Sequence, residues 1–326
     1  MDLFRRLFSQ SDASKSEVVP EAATQQYNKE PVLADTAPAE PPAPMADTPP
    51  PLPEGATRPL PPETVISSSN EHLTFGQSTD VGMVRSNNQD SALSYFFTSR
   101  SADQRPDFGL FIVADGMGGH HDGEKASALA TRTVAAHVTN SVYLPLLHGD
   151  NDADRPPITE ALIAAVQKAN ADIISGVPEG GTTLTTVAVI GDLAYVAHVG
   201  DSRVYLITKD GVEQITRDHS LVQRLIELDQ LTREEADEHP QKNVLYRALG
   251  QSESLEVDAL TRRLPPNSRL LICSDGLWNL VEEKDIVDIV MSHNNPQEAC
   301  DKLVALANKR GGTDNITAIL LQIPRG

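Results

Sequence analysis

Three apolar runs follow one another in the segment TLTTVAVIGDLAYVAHVGDSRVYLIT (residues 183–208). Each run is rich in β-branched residues and has the length typical of a β-strand. The links between the runs are as short as Gly191-Asp192 and Gly200-Asp201-Ser202. Parallel neighbours would need a crossover of about a dozen residues, so links this short indicate antiparallel neighbours. The segment therefore predicts a central meander of three strands and argues against a doubly wound parallel sheet.

Similar patterns continue on both sides of this segment. A last helix is expected after Asn295 as its N-cap, with Pro296 at the first helical position and Gly311-Gly312 at its end. Residues 218–249, which we call the flap, predict two short helices and a loop. The remaining patterns predict strands at 109–114, 269–274 and 315–323 and amphipathic helices at 123–143 and 159–175. Antiparallel strands with long helices predict an α+β domain over residues 72–326.

Residues 1–71 differ in composition from the rest of the chain. They hold 13 of the 23 prolines and a net charge of −6, and such sequence buries too little apolar area to offset its ordering entropy. We expect a disordered, proline-rich acidic tail. At its start, Leu3, Phe4, Leu7 and Phe8 have helical spacing. This short amphipathic segment is either a docking or surface-anchoring helix or a terminus without a partner.

The overall composition excludes several classes of protein. A net charge of −19 and a pI near 4.8 argue against nucleic acid as the main partner. Two cysteines, Cys273 and Cys300, cannot form a disulfide framework. No apolar run approaches the roughly 18 residues of a membrane span, and Arg5 and Arg6 interrupt the place of a signal-peptide core. These features predict a cytoplasmic protein without a membrane span, and nothing in them requires more than a monomer.

Several aspartates stand beside glycine at the ends of predicted strands. Asp115, Asp201 and Asp275 each have a glycine as a direct neighbour, Asp314 directly precedes the last predicted strand, and Asp90 ends the segment Arg85–Asp90. One alone is typical of an ordinary turn. If several converge, two carboxylates about 4 Å apart repel by about 4 kcal/mol at an effective dielectric near 20, so the cluster would need a cation. Oxygen ligands without nearby His or Cys suit Mg²⁺ or Mn²⁺ better than Zn²⁺.

Six motifs occur in an order and spacing that characterise one family. They are DVGMVRSNNQD (80–90), VADGMGGH (113–120), GTTLT (181–185), HVGDSR (198–203), CSDGLW (273–278) and GTDNI (312–316). Over roughly residues 74–324 the chain resembles the metal-dependent PPM-type, or type-2C, protein serine/threonine phosphatases, in particular their bacterial branch. The resemblance implies a four-layer α-β-β-α sandwich of two antiparallel β-sheets flanked by helix pairs.

The resemblance also implies a metal site at one end of this sandwich. Asp115 is similar to the ligand that bridges two Mn²⁺ or Mg²⁺ ions, and the carbonyl of Gly116 is similar to a ligand of one of them. The other implied ligands are Asp275 and Asp314 at the first metal, Asp90 at the second and Asp201 at a third, weaker site. The implied reaction is hydrolysis of phosphoserine and phosphothreonine by a metal-activated water, opposing a serine/threonine kinase, without a cysteine nucleophile.

Two further roles follow by resemblance. Arg85 resembles the arginine that holds the substrate phosphate, for which a fork of donors is suited. Some relatives place a general-acid histidine directly after the Asp-Gly pair, where this chain has Met117, and His120 is then the nearest candidate. Others use a glutamate one position before the first-motif aspartate, where this chain has Gln89, so that ligand role goes to Asp90.

Other interpretations remain open at this point. The domain could be a binding module that recognises phosphoproteins without turnover, or a hydrolase of small phosphorylated molecules. In the flap, Asp218, His219 and Arg247 could contact substrate or belong to a solvated loop.

Overall fold

The computed structural model describes residues 72–98, 106–119, 121–149 and 156–325. The predicted disordered tail, with its amphipathic segment, lies outside the described residues, and so does His120.

The described chain forms two antiparallel sheets. The five-stranded sheet has the order β1 (Thr74–Asp80), β11 (Ile316–Gln322), β10 (Arg269–Cys273), β7 (Arg203–Thr208) and β8 (Gly211–Gln214). The second sheet has the order β2 (Asp90–Phe97), β3 (Phe108–Gly118), β5 (Leu184–Ile190), β6 (Leu193–Val199) and β9 (Asp258–Arg263), and β4 (Gly180–Thr182) pairs with the end of β3.

Helices cover the outer face of each sheet. On the six-stranded sheet lie α1 (Asp122–Val138), which continues through a π-helical turn (Thr139–Tyr143) into α2 (Leu144–His148), and α3 (Ile158–Gly176). The flap contains α4 (Leu221–Glu227) and α5 (Arg233–Asp237). The five-stranded sheet carries α6 (Asp275–Trp278), α7 (Glu283–Ser292) and α8 (Pro296–Lys309). In the described ranges no helix is long and apolar enough to cross a membrane.

Three hydrophobic clusters hold the four layers together. One lies between the two sheets, and each of the other two lies between one sheet and its helices. In β3, Phe111 and Val113 face the inter-sheet cluster, whereas Leu110 and Ile112 face the helices. Because both faces of the central strands are buried, their sequences are continuous apolar runs and do not alternate with polar residues. The predicted four-layer sandwich is confirmed.

The last helix begins and ends as its sequence indicates. Pro296 is the first residue of α8, and the side chain of Asn295 accepts a hydrogen bond from the backbone N–H of Gln297 at 2.9 Å. Gly311 and Gly312 follow its end with positive φ values of 123° and 50°. These are the capping features that a proline-started, glycine-ended helix requires.

The prediction of a three-strand meander is wrong at its second link. β5 and β6 do pair through the Gly191-Asp192 turn, but β6 and β7 lie in different sheets. Gly200 has φ of +114°, and a Cβ there would lie 2.5 Å from the Cβ of Thr183. This glycine conformation turns the chain out of the plane of the first sheet. The short link therefore crosses between sheets and places Asp201 between them.

The buried histidine of β6 generates a stability prediction. His198 is 2% exposed; its Nε2 donates to the carbonyl of Arg217 (3.1 Å) and its Nδ1 contacts the hydroxyl of Thr185 (2.9 Å). Burial and the neighbouring His219 lower the pKa of His198 to about 3. Because only the unfolded chain binds this proton below pH 6.5, stability is lost as the pH falls from 6.5 towards 3.

Urea unfolding of wild type should show this loss as about 1.4 kcal/mol per pH unit below pH 6 from this group. A His198→Gln variant should have a shallower dependence between pH 7 and 4.5. The control is His121→Gln, since the His121 side chain is 73% exposed. Equal slopes for wild type and His198→Gln would contradict the assignment of a neutral buried histidine.

Candidate metal centre

The five predicted aspartates lie at strand ends on both sheets. Asp90 begins β2 and is the direct partner of Asp115, near the end of β3. Asp275 follows β10 by two residues, Asp314 precedes β11 by two, and Asp201 lies in the link from β6 to β7. Both sheets therefore contribute carboxylates from their strand ends.

The electrostatics of Asp115 show that the five carboxyl groups form one cluster. Burial raises its pKa well above the usual value, and the negative charges of the other four aspartates raise it further. A carboxylate in this position is disfavoured by desolvation and by like charge together. The fold therefore places these five aspartates close enough to interact electrostatically.

Asp90 is the best-defined member of the cluster. Burial raises its pKa to about 7, and hydrogen bonds from Thr317 and Ser274 oppose the rise. Thr317 Oγ1 and Ser274 Oγ donate to its Oδ2 at 2.6 and 2.8 Å. Its other oxygen, Oδ1, is buried and has no hydrogen-bond partner among the described residues. One oxygen is thus held by hydroxyls, and the other is left for a further partner.

Asp275 shares this combination of burial and an open oxygen. Burial and the charge of Asp314 raise its pKa to about 6, whereas a hydrogen bond with Asp115 and the charge of Arg85 lower it. Its Oδ1 is buried without a hydrogen-bond partner within the chain that the structure describes. Two of the five carboxylates therefore each present one buried, unsatisfied oxygen.

The backbone around the cluster is tightly fixed. The N–H of Asp115 donates to Thr183 Oγ1 at 2.9 Å, and Thr182 Oγ1 donates to the carbonyl of Asp115 at 2.9 Å. A Cβ at Gly116 would lie 2.3 Å from the carbonyl oxygen of Gly123. Only glycine fits this close approach, so packing requires a glycine directly after Asp115.

Asp201 is held from the side of the five-stranded sheet. Burial and the charges of Asp275 and Asp218 raise its pKa well above the usual value, and Arg203 lowers it. Trp278 Nε1 donates to the Asp201 carbonyl at 3.0 Å, and the Arg203 guanidinium lies 3.5 Å from the centre of the Trp278 ring. Trp278 therefore acts here through packing and a backbone contact.

Arg85 lies at the rim of the cluster. Its Nη2 donates to Asp314 Oδ2 at 2.6 Å, and half of its side chain is exposed. A hydrogen bond with Asp314 raises its pKa, and the charges of Asp115 and Asp275 act in the same direction. The predicted phosphate-binding arginine is thus next to the predicted metal ligands and reaches solvent.

The predicted general acid and a complete metal coordination sphere are not found among the described residues. The predicted general acid, His120, is outside the described residues, and His121 contacts Glu124 at 3.4 Å. Across the described ranges no three His, Cys, Asp or Glu side chains already form a coordination sphere. Among the described residues, the aspartates therefore interact electrostatically without forming a coordination sphere.

The two thiols take no part in the centre. Cys273 and Cys300 are free and buried in the cluster between the five-stranded sheet and its helices. Burial raises the pKa of each thiol to about 12. Neither can supply a thiolate nucleophile near neutral pH.

The flap residues have a role that sequence reasoning missed. Asp218 is 4% exposed and accepts hydrogen bonds from Arg203 (2.7 Å) and Gln214 (3.0 Å). His219 is 1% exposed; its Nδ1 accepts from the N–H of Gly200 at 3.0 Å. His219 ties the base of the flap to the Asp201 link and Asp218 ties it to β7 and β8, so neither side chain belongs to a solvated loop.

The hydroxyl donors were also missed. Ser274 and Thr317 stand at fully buried positions of apolar strand sequence. A buried polar residue in such a run is the signal that could have found them, because it needs a hydrogen-bond partner.

Removing one charge from the cluster should stabilise the protein when no metal is added. The folded-state pKa of Asp90 is raised to about 7. The contribution of its carboxyl group to the free energy of unfolding is therefore fully present at low pH and is lost as the pH rises from about 4 to 7. In EDTA at pH 8, Asp90→Asn should raise the free energy of unfolding by about 2–4 kcal/mol. The gain should vanish near pH 4.

Urea unfolding of wild type and variant in EDTA measures this difference. The control is Asp172→Asn, because Asp172 pairs with Lys168 at 3.3 Å at the surface of α3. Its effect should stay within about 0.5 kcal/mol. A destabilised Asp90→Asn protein at pH 8 would contradict the repulsive cluster.

The sequence of the chain is similar to those of known proteins. The sequence model of the family described as Protein phosphatase 2C matches residues 84–308. The serine/threonine phosphatase Stp of Listeria welshimeri is 36% identical over 245 residues, which are 75% of this chain and 93% of that protein. Protein phosphatase PhpP of Streptococcus pneumoniae is 38% identical over 251 residues, which are 75% of this chain and 95% of that protein.

A solved structure supports the fold. It is the catalytic domain of the serine/threonine protein phosphatase PstP in complex with 2 manganese ions. It matches with a TM-score of 0.61 at 30% identity and covers 77% of this chain and 98% of that one. The chain therefore belongs to the protein phosphatase 2C family and is a protein phosphatase.

Proposed function

We propose that this chain hydrolyses phosphoserine and phosphothreonine in proteins, with its metal ions held by the aspartate cluster and the substrate phosphate by Arg85. The ligands of the proposal are Asp90, Asp115, Asp275 and Asp314, the carbonyl of Gly116, and Asp201 for a third, weaker site. The observation that carries it is the cluster of five carboxyl groups, in which the negative charges of four aspartates raise the pKa of Asp115, with one arginine at its rim.

The residues present fit a hard divalent cation. The donors are carboxylate and carbonyl oxygens, which suit Mg²⁺ and Mn²⁺. Asp90 and Asp275 each keep a buried oxygen with no partner among the described residues, and an unsatisfied buried oxygen costs about 1–3 kcal/mol. Bound cations would satisfy these oxygens and offset the repulsion. The solved relative with two manganese ions supports the same assignment.

When bound, the metal ions supply a water of lowered pKa for attack on phosphorus and neutralise charge on the phosphate oxygens. The protein's own residues do the positioning. The hydroxyls of Thr317 and Ser274 hold Oδ2 of Asp90 and direct Oδ1 away from them. Thr182 and Thr183 fix the backbone of Asp115 on both sides.

Arg85 is suited to the substrate phosphate. Its guanidinium is half-exposed and carries several donors beyond the one that bonds Asp314. A planar fork of donors matches two oxygens of a phosphate dianion. Its position beside Asp314 would bring a bound phosphate to the edge of the metal cluster.

The biological role we propose follows from this chemistry. A phosphatase of this class consumes the phosphoproteins that serine/threonine kinases produce, so such a kinase is the expected counterpart. We also propose the division into a tail of residues 1–71 and a catalytic domain of residues 72–326.

Phosphate release from a phosphothreonine peptide tests the proposal. Wild type should release phosphate with Mn²⁺ and not with EDTA, and Asp275→Asn should lose at least about 100-fold in rate with Mn²⁺. The matched control is Asp172→Asn, which removes a surface carboxylate and should leave the rate unchanged.

Two outcomes would overturn the proposal in different ways. Release that survives both EDTA and Asp275→Asn would exclude metal-dependent hydrolysis at this cluster. No release from any sample, with Mn²⁺ still raising the melting temperature, would favour a binding module that recognises phosphoproteins without turnover.

The hydroxyl on Asp90 gives a subtler test. Thr317→Val keeps the side-chain shape but removes the 2.6 Å hydrogen bond to Asp90. That hydrogen bond favours the charged, metal-binding form of the Asp90 carboxyl group. The Mn²⁺ concentration for half-maximal rate should rise about tenfold, the usual cost of losing a partner of a metal ligand.

The matched control is Thr186→Val. Thr186 is also fully buried, but its hydroxyl has no hydrogen-bond partner in the described chain, so its Mn²⁺ requirement should equal that of wild type. An unchanged requirement in Thr317→Val would contradict a role for Asp90 in metal binding.

A further inference from the structure

Met83 and Val84 are large hydrophobic residues with most of their surface exposed to solvent. Among the described residues they are the most exposed large hydrophobic side chains, at 70% and 68%. The other exposed large hydrophobics lie between 37% and 43%. Single exposed apolar residues are common on protein surfaces. Two neighbours with most of their surface in water, directly before the phosphate-binding candidate Arg85, form an apolar patch beside the site.

The loop that carries this patch is held firmly. Gly82 has φ of +81°, and a Cβ there would lie 2.2 Å from the carbonyl oxygen of Asp314. The N–H of Gly82 donates to Asp80 Oδ1 at 2.8 Å, and the N–H of Met83 donates to the carbonyl of Gly312 at 2.7 Å. The backbone of the patch is therefore packed on the segment that contains Asp314.

Asn315 fixes the loop from its other side. Its Nδ2 donates to the carbonyls of Val81 and Asn87, both at 2.9 Å. Because the backbone is hydrogen-bonded on both sides of Met83 and Val84, the loop holds these two side chains in their exposed positions. Two apolar side chains held outward next to a binding arginine have the character of a contact surface.

We infer that Met83 and Val84 contact apolar side chains next to the phosphorylated residue, so that the enzyme prefers phosphopeptides with apolar flanking residues. The inference rests on the proposed function, because it takes Arg85 as the phosphate site. Residues of an extended peptide advance about 3.3–3.6 Å each, so the neighbours of a phosphoresidue held at Arg85 lie within reach of the two preceding residues. Apolar flanking side chains would remove both patch residues from water.

The expected preference is modest. The patch is an open surface of two side chains and not an enclosed pocket. Apolar substrate contacts change kcat/KM by about 10- to 200-fold in pockets, so an open patch should give about five- to tenfold.

The test uses a shape-matched double variant of the full chain, Met83→Gln/Val84→Thr. Both changes keep side-chain volume and remove apolar character, and the backbone bonds of the loop remain. Three substrates are compared with Mn²⁺: a phosphothreonine peptide with leucine on both sides, the same peptide with serine on both sides, and p-nitrophenyl phosphate. The readout is the ratio of kcat/KM for the leucine peptide to that for the serine peptide.

Wild type should show a ratio of about five to ten, and the double variant a ratio near one. The control is Met291→Gln, since Met291 is 40% exposed on α7, and it should keep the wild-type ratio. Using a ratio within each enzyme cancels any general change in turnover.

Three results would overturn the inference alone. These are a wild-type ratio near one, equal ratios in wild type and double variant, and a change of oligomeric state on gel filtration with the ratio unaltered. The last would assign the patch to contact with a second copy of the chain. Absence of release from all three substrates by wild type would overturn the proposed function, and the inference with it.

Discussion

Repulsion among buried carboxyl groups is the constraint on which the rest of this structure depends. Burial, opposed in part by hydrogen bonds, is the largest cause that raises the pKa of Asp90 to about 7 and that of Asp275 to about 6, and the neighbouring aspartates raise both pKa values further. At an effective dielectric near 20, two such charges about 4 Å apart repel by about 4 kcal/mol. The hydroxyls on Asp90 and the charge of Arg85 offset part of this repulsion, and packing elsewhere in the fold has to supply the remaining stability.

The strands provide that stability by separating their apolar middles from their polar ends. In β3, Phe111 and Val113 bury against the other sheet, and the same strand carries Asp115 a short distance further on. In β10, Leu270 and Ile272 lie in the inter-sheet cluster, and Asp275 follows the strand. The hydrophobic clusters thus hold the strand ends in place, and the strand ends hold the carboxylates together against their repulsion.

Which strands could be predicted from the sequence depends on how completely their middles are buried. The central strands could be found because both of their faces are buried, which produces continuous apolar runs such as residues 269–273. Strand β2 was not found, since all its residues except the exposed Phe97 are half-buried and show neither a continuous run nor a clean alternation. The edge strand β9 alternates between half-buried and exposed positions, and the sequence pattern of such a strand is weak.

For the site, the residue types were predictable and their convergence was not. Glycine beside aspartate marked Asp115 and Asp275, and the family resemblance supplied their roles. That Asp90 lies opposite Asp115 depends on the register between β2 and β3, which no local pattern encodes. The rule for short links failed at Gly200 because it assumes that neighbours in sequence stay in one sheet, and the glycine conformation there turns the chain into the other.

The crossing between sheets at Gly200 also shows which aspartate of the cluster depends on the largest number of structural elements for its position. Asp115 is fixed by β-pairing and by two threonines within its own sheet. Asp201 instead lies where the chain passes between sheets, and its link bonds to the flap through Gly200 and His219 in both directions, at 2.7 and 3.0 Å. Displacing the base of the flap would break these bonds and shift the link, whereas it would leave the pairing of β2 with β3 intact. The position of Asp201 is therefore set jointly by both sheets and the flap.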